Sequence, residues 1–214
     1  MDFVAKRRRL VECLVSEGYL RSRRVIDAML GVPRELFVPE DARAGAYADC
    51  PMPIGFGQTI SAPHMVALMT ELLGLEDDSV VLEVGSGSGY QAAVIAAAAP
   101  DGFVYSVERI ESLADFARDN LASCKIRNVE VVSGDGTLGY VRKAPYGRII
   151  VTAAAPGVPE SLLGQLSDGG RLLIPVGDRF LQDLVEVRNE GGKFVEKHHG
   201  GCVFVPLIGE EGWK

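Results

Sequence analysis

Residues 81–96 read VLEVGSGSGYQAAVIA, and no other stretch of the chain limits its fold so sharply. A β-rich run closes at Val84, glycines follow at 85, 87 and 89, and an alanine-rich helical run begins at once. Glycine takes left-handed backbone angles freely and has no Cβ to hold a ligand away. The start of the next helix adds unpaired N–H groups. A strand that passes through such a turn into a helix belongs in an open α/β sheet, with a ligand at the strand's carboxyl end. The spacing narrows the ligand. The dinucleotide fingerprint is G-x-G-x-x-G; here the pattern is G-x-G-x-G, and Tyr90 stands where the last glycine would be.

Two further features fall in register with that turn. Glu108 closes the next β-rich run, where an acid can hold a ribose hydroxyl pair. Gly134-Asp135-Gly136 ends the run after that, where an aspartate can accept a hydrogen bond from an adenine amino group. Singly each is weak, because Asp135-Gly136 also reads as a turn and Glu108 as a helix-start acid. Three such features at successive strand ends favour a nucleoside site.

The remainder of the chain supports an α/β sheet. Short β-rich runs at 79–84, 103–107, 129–132 and 149–152 are separated, over the first three, by helical stretches at 91–98 and 111–122. That alternation predicts a parallel sheet covered by helices. Runs at 171–175, 183–188 and 194–197 predict an antiparallel edge. Ahead of the sheet, helices are expected at 2–17, 22–30 and 62–73. Residues 33–60, with Pro33, Pro39, Pro51, Pro53, Gly55 and Gly57, read largely as loop.

Composition serves mainly to exclude. A net charge of −7 argues against a nucleic-acid partner, and the Lys6–Arg9 cluster with Arg21, Arg23 and Arg24 reads as the wet face of amphipathic helices. The longest apolar run, 92–99, is far too short for a bilayer. Lys6–Arg9 resembles the start of a signal peptide, but Glu12, Ser16 and Glu17 break the apolar region it would need, so a cytoplasmic protein is expected. The four cysteines show no C-x-x-C spacing and read as free, mostly buried thiols. With His198-His199 in a polar stretch and no cysteine beside them, no metal site is expected.

One segment remains unexplained by the sheet. Residues 55–66, GFGQTISAPHMV, set two glycines, an amide, two hydroxyls and a histidine just before an apolar helix. Ser61, two residues before Pro63, reads on its own first as a helix N-cap, a role compatible with a ligand contact. His64 reads as a ligand or as the partner of a hydrogen bond near the helix start. Met65 and Met69, four residues apart, read as core.

With these pieces assembled, the chain resembles the protein-L-isoaspartate (D-aspartate) O-methyltransferases from about residue 20 to 212. The likeness rests on GFGQTISAPHMVA at 55–67, LEVGSGSGY at 82–90, GDGTLG at 134–139 and VTAAAPGVPESLLGQLSDGGRLLIPVG at 151–177. The glycine loop alone would suggest any S-adenosylmethionine enzyme; the first and last segments are far more particular. Two departures stand out: Gly147 follows Pro145-Tyr146 where the family usually has aspartate, and Val203 stands where many members carry arginine.

The resemblance implies a Rossmann-like class I methyltransferase sheet, α/β, with helices on both faces, an N-terminal helical region and a rearranged C-terminal end. It implies one structural domain, with residues 1–76 as the helical and active-site loop region and 77–214 as the cofactor-binding core with its C-terminal strands. S-adenosylmethionine would be the cofactor, S-adenosylhomocysteine the product, and no metal would take part. Cofactor contacts would come from Thr59, Ser61, His64, Glu83, Gly85, Gly87, Gly89, Glu108, Asp135 and Gly136. Ser61 would be the catalytic residue, and Gln58, Thr59, Ser61 and Val205, the last within the 203–207 segment, would meet the substrate. That substrate would be the free α-carboxylate of L-isoaspartyl and D-aspartyl residues in damaged proteins and peptides, whose methylation starts repair through a succinimide. A monomer acting on such proteins, without nucleic acid or membrane, is expected. Two rivals remain at this stage. Another methyltransferase is one, although TAAAP after the fourth run lacks the N-P-P-Y of amino-group methylation. A non-catalytic cofactor binder is the other, with no reason to keep the polar cluster at 58–64.

Overall fold

The structure, a computed structural model, describes residues 2–214. Helix α1 (Phe3–Ser16) starts where the Asp2 carboxylate accepts the Ala5 N–H, and α2 (Arg23–Gly31) where the Ser22 hydroxyl accepts that of Val25. Their apolar stripes bury Leu10, Val11, Leu14, Val25, Ala28 and Met29. One basic residue departs from the expected wet face. Arg7 turns inward, donating to the Tyr47 hydroxyl, the Leu30 carbonyl and the Glu35 carboxylate.

Residues 33–60 are more ordered than their prolines suggested. Short 3₁₀ turns occupy Arg34–Leu36 and Glu40–Gly45, and strands β1 (Met52–Gly55) and β2 (Gln58–Ile60) pair as an antiparallel hairpin. Its two-residue connection, Phe56-Gly57, has positive φ at both positions (54° and 71°), as the tightest hairpin turns require. A glycine at the second position makes that turn accessible. Helix α3 (Pro63–Leu73) follows, with proline in its first turn and Gly74 closing it at φ 60°.

The sheet is built from β3 (Val80–Val84), β4 (Phe103–Glu108), β5 (Val129–Ser133), β6 (Tyr146–Val151), β7 (Leu166–Gly177), β8 (Gln182–Glu190) and β9 (Lys193–Cys202), in the order β5-β4-β3-β6-β7-β8-β9. Neighbours are parallel from β5 to β7, and β8 runs antiparallel to both β7 and β9. Helices α4 (Tyr90–Ala98) and α5 (Glu111–Ser123) sit in the first two crossovers. The last three strands extend beyond their expected limits, and a short helix, α6 (Glu160–Gly164), was not foreseen.

Strand alternation divides the core in two. Val81, Val104, Ile150 and Leu173 share a cluster with α1 to α5, while Leu82, Val107, Ile149 and Leu172 pack with Leu162 of α6 and with Leu207. The helical cover is therefore uneven, thick on one face and thin on the other. All four cysteines are free, but only Cys202 is buried; Cys13 and Cys50 are exposed and Cys124 lies between. Burial of the thiols does not hold generally, because Cys13 sits on the wet side of α1 and Cys50 in the turn before β1.

Candidate active site

Chain order places the ligand before any side chain is considered. From β3 the chain moves outward to β4 and β5, then returns to β6 on the other side of β3. Between β3 and β6 the loops diverge at the strands' carboxyl ends, the usual ligand crevice of an open α/β sheet. A cleft lies there, lined by Thr59 and Ser61 from the polar segment, Gly85 to Ser88 from the glycine turn, Glu108, Gly136, Thr152 and the 205–208 segment.

The glycine turn is held from several sides. Gly85, Gly87 and Gly89 all have positive φ (95°, 52° and 86°). A Cβ on Gly85 would lie 2.5 Å from Thr152 Oγ1, so the residue must be glycine for reasons of space as well as angle. Thr152 Oγ1 donates to the Gly85 carbonyl at 2.6 Å, tying the end of β6 to the turn. The Glu108 carboxylate accepts from Gly87 N–H at 2.9 Å and from Ile110 N–H at 3.0 Å, so it joins the turn to the start of α5. Both earlier readings of Glu108 are thus compatible, since it orders a helix start and also lines the cleft.

Beneath the turn lies a buried polar chain. The Ser106 hydroxyl donates to Glu83 Oε2 and lies 2.5 Å from the Ser86 hydroxyl. Glu83 is fully buried and its Oε1 has no hydrogen-bond partner. Burial pushes the Glu83 carboxyl up to about 8, against the hydrogen bond from Ser106 and with help from the Glu108 charge.

Four of the residues expected at the cofactor do not line this cleft. Glu83 supports the turn from below and does not line the cleft. Gly89 faces α5, where a Cβ would come within 3.3 Å of Ala117, so it serves helix packing. Asp135 turns from the cleft. Its carboxylate accepts from Thr137 N–H, the Thr137 hydroxyl and Glu210 N–H, and Gly136 alone of that pair lines the cleft. Burial opposes the Asp135 charge, but those hydrogen bonds outweigh it and hold the carboxyl below its ordinary value. His64 points into a second pocket.

This second pocket adjoins the cleft and is lined by Pro51, His64, Met65, Phe204 and the 201–203 segment, together with Thr59, Ser61, Thr152 and Val205. Those last four line both cavities. Gln58 belongs to the cleft alone, and Met65 is a wall of the second pocket while Met69 is core. His64 Nδ1 lies 3.0 Å from the Asp49 carboxylate, which also accepts the His64 N–H. Ser61 is not the cap of α3. That position belongs to Ala62, with no side-chain cap, so the hydroxyl is left for another use. Thr152 is the junction residue that sequence reading missed; its signal was its place just past the strand beside β3.

The match to known proteins decides the family. The model of the protein-L-isoaspartate (D-aspartate) O-methyltransferase family matches residues 5–212. The chain belongs to that family. It is 61% identical to the protein-L-isoaspartate O-methyltransferase of Methanopyrus kandleri, over 99% of this chain and 95% of the relative. It is 50% identical to that of Pyrococcus abyssi over the full length of both. A protein-L-isoaspartate O-methyltransferase structure from Plasmodium falciparum, in complex with S-adenosyl-L-homocysteine, superposes with a TM-score of 0.84 at 29% identity, covering 94% of this chain and 98% of that one. As a member of the family, the protein is an enzyme that takes its methyl group from S-adenosylmethionine and acts on isoaspartyl residues. The cleft fits such a cofactor. The glycine turn from Gly85 to Ser88 lines it, and each Glu108 carboxylate oxygen accepts one hydrogen bond, leaving lone pairs at the cleft's edge. Among the described residues no group of three or more His, Cys, Asp or Glu is gathered as a metal ligand set.

Proposed function

We propose that the methyl acceptor is the free carboxylate of a damaged residue, the α-carboxylate of L-isoaspartyl or the side-chain carboxylate of D-aspartyl, and that it sits where the two cavities meet. The supporting observation is their shared wall of Thr59, Ser61, Thr152 and Val205. When bound, S-adenosylmethionine supplies a methyl group carried on a positively charged sulfur. Gly85, Gly87 and Gly136 would border it in the cleft, Glu108 would receive its ribose hydroxyls, and Thr59 and Ser61 would stand between cofactor and substrate.

The acceptor chemistry explains the polarity of the 58–64 segment. A carboxylate with a reference pKa near ~4 is already ionised at neutral pH, so no base has to create the nucleophile. It lacks position and freedom from water. Ser61 and Thr59 can donate one hydrogen bond each and hold an oxygen in place without fixing it as a full positive charge would. Among the described residues the second pocket is lined by no lysine or arginine. Ser61 is the residue we assign as catalytic, Gln58 borders the cleft beside it, and Val205 packs against the substrate backbone. The ester formed is a better acyl donor than the carboxylate. The following backbone nitrogen attacks it, expels methanol and closes the succinimide from which a normal aspartyl bond can form.

We further place the protein in the cytoplasm as a monomer of one structural domain, with residues 1–76 contributing the polar loop and 77–214 the cofactor cleft. Its partners are isoaspartate-containing proteins, not nucleic acid or membrane. Net charge of −7 supports the exclusion of nucleic acid. Among the described residues no helix is long and apolar enough to cross a membrane. Labelled methyl transfer to an isoaspartyl peptide, run beside the same peptide with normal aspartate, tests the substrate assignment. Equal labelling of the two peptides would overturn it.

A further inference from the structure

Arg34 is a cation with no solvent exposure at all, and among the described residues it has no ion-pair partner. The carboxylate next to it, Glu35, is already engaged by Arg7 and the Tyr47 hydroxyl. What Arg34 touches instead is specific. Its Nε donates to the Ala46 carbonyl at 2.8 Å, and its Nη2 donates to the Ser61 carbonyl at 2.8 Å. Its guanidinium carbon stands 4.8 Å from the centre of the Tyr90 ring. Nη1 has no hydrogen-bond partner.

Burying a charge without a counter-charge is expensive, and an apolar side chain of similar volume would fill the same space without that penalty. A planar fork of donors does what a hydrocarbon cannot: it fixes two carbonyls and a ring face relative to one another. The two ends of that brace belong to the site. The Ser61 carbonyl is part of a residue that borders both cavities, and Tyr90 ends the glycine turn and lines the cleft. Phe37 meets the same ring edge-on at 5.5 Å, so Tyr90 is clamped between Arg34 and the core.

We propose that Arg34 is a positioning residue for methyl transfer, setting the polar acceptor loop at Ser61 against the cofactor turn at Tyr90. The inference rests on the assignment of Ser61 to the acceptor, and its test separates the two. Arg34→Met, Ser61→Ala and the double variant are compared for kcat and KM on an isoaspartyl peptide, for S-adenosylhomocysteine affinity by calorimetry, and for Tm. Arg34→Met is expected to lower kcat at least tenfold and to weaken S-adenosylhomocysteine several-fold through Tyr90. In the Ser61→Ala background its further effect on kcat is expected to be much smaller, because the group it positions is gone. Arg34→Lys keeps the charge but not the fork, and recovers only part of kcat. It carries the same comparison should Arg34→Met fail to fold. If Ser61→Ala is fully active, the Ser61 assignment fails. If Ser61→Ala is impaired but Arg34 variants lose only Tm, or their losses multiply independently with that of Ser61→Ala, the positioning role is overturned.

Discussion

Ser61→Ala isolates one hydroxyl, and the structure makes its two consequences unequal. A helix cap lost to alanine usually removes about 1 kcal/mol of stability. Here Ala62 is the cap residue of α3, and no hydrogen bond joins the Ser61 hydroxyl to another described residue. The folded protein therefore has little to lose, and the change in stability should stay within about 0.5 kcal/mol, as for a neutral surface position. Catalysis should respond differently. A hydrogen bond to a charged group contributes roughly 1.5–3 kcal/mol. If it is made to the reacting carboxylate, its loss lowers kcat/KM by roughly tenfold to a hundredfold. The assay is initial-rate methyl transfer to an isoaspartyl peptide, with Tm and S-adenosylhomocysteine affinity measured on the same preparation. A variant with unchanged kcat/KM removes Ser61 from the mechanism. One destabilised by a full cap's worth would show that the hydroxyl is structural after all.

Three further outcomes are expected. Gly85→Ala should lower both Tm and S-adenosylhomocysteine affinity more than Gly87→Ala, because its Cβ meets Thr152 Oγ1 at 2.5 Å while that of Gly87 meets only Ile54 Cδ1 at 3.3 Å; equal effects in thermal melts and calorimetry would contradict the packing argument. Glu83 has a carboxyl raised by burial from an ordinary 4.5 to about 8, so the folded protein keeps a proton that the unfolded chain releases. Its stabilising contribution is complete below about pH 4.5 and is lost as pH rises through 8, by up to about 1.4 kcal/mol per unit. Glu83→Gln should flatten that slope in urea melts at pH 5, 6.5 and 8, and parallel curves for the two proteins would refute the assignment. Lastly, kcat/KM should be nearly flat from about pH 5.5 to 7.5, because the acceptor carboxylate ionises far below that range and no base is required. His64→Gln should leave the profile flat; an acid limb in the wild type that vanishes in the variant would make His64 a base.

The sheet was legible because its signals are local. The strands β3, β4 and β5 are short runs ended by glycine or an acid, and the crossover helices between them have their own periodicity, so these strands emerged within about a residue of their limits. The hairpin at 52–60 was not, since Pro51, Pro53, Gly55 and Gly57 all signal loop, and only pairing across the turn reveals two strands. The same limit applies to the site. Gly85, Gly87 and Glu108 announce themselves by spacing along one βαβ unit. Arg34 and Thr152 do not, because what gives them a role is contact with segments far away in the chain: the Ser61 carbonyl for one, the Gly85 carbonyl for the other. Asp135 meets the same limit: its motif is local, but its carboxylate also accepts from Thr137 and from Glu210, a C-terminal partner that local spacing does not signal.

The order of the last strands is what allows one sheet to carry both cavities. Because β8 and β9 follow β7 as a meander, β9 ends at Cys202, paired with Gln182 at the start of β8. The chain leaves the sheet there, on the same side as the carboxyl ends of β3 and β6. Buried Gln182 catches it at once, its Oε1 accepting the Phe204 N–H at 2.8 Å while its Nε2 donates to the Asp178 carbonyl. The segment is pinned again at Val205 and Leu207, Ala154 N–H to the Val205 carbonyl and Leu207 N–H to the Ala154 carbonyl, each at 2.8 Å. Ala154 lies just beyond β6 and two residues past Thr152, so these bonds set Val205 across from the threonine that holds the glycine turn. An edge strand inserted between β7 and β8 would carry the exit point away from β6 and break that pairing. The wall carrying Val205, which we propose meets the substrate, is thus a consequence of the sheet's C-terminal order, and Gln182→Ala should loosen that wall without touching the cofactor turn: a raised KM for peptide with unchanged S-adenosylhomocysteine affinity is the expected result, and a loss of cofactor affinity equal to the loss for peptide would show that the two walls are not separately anchored.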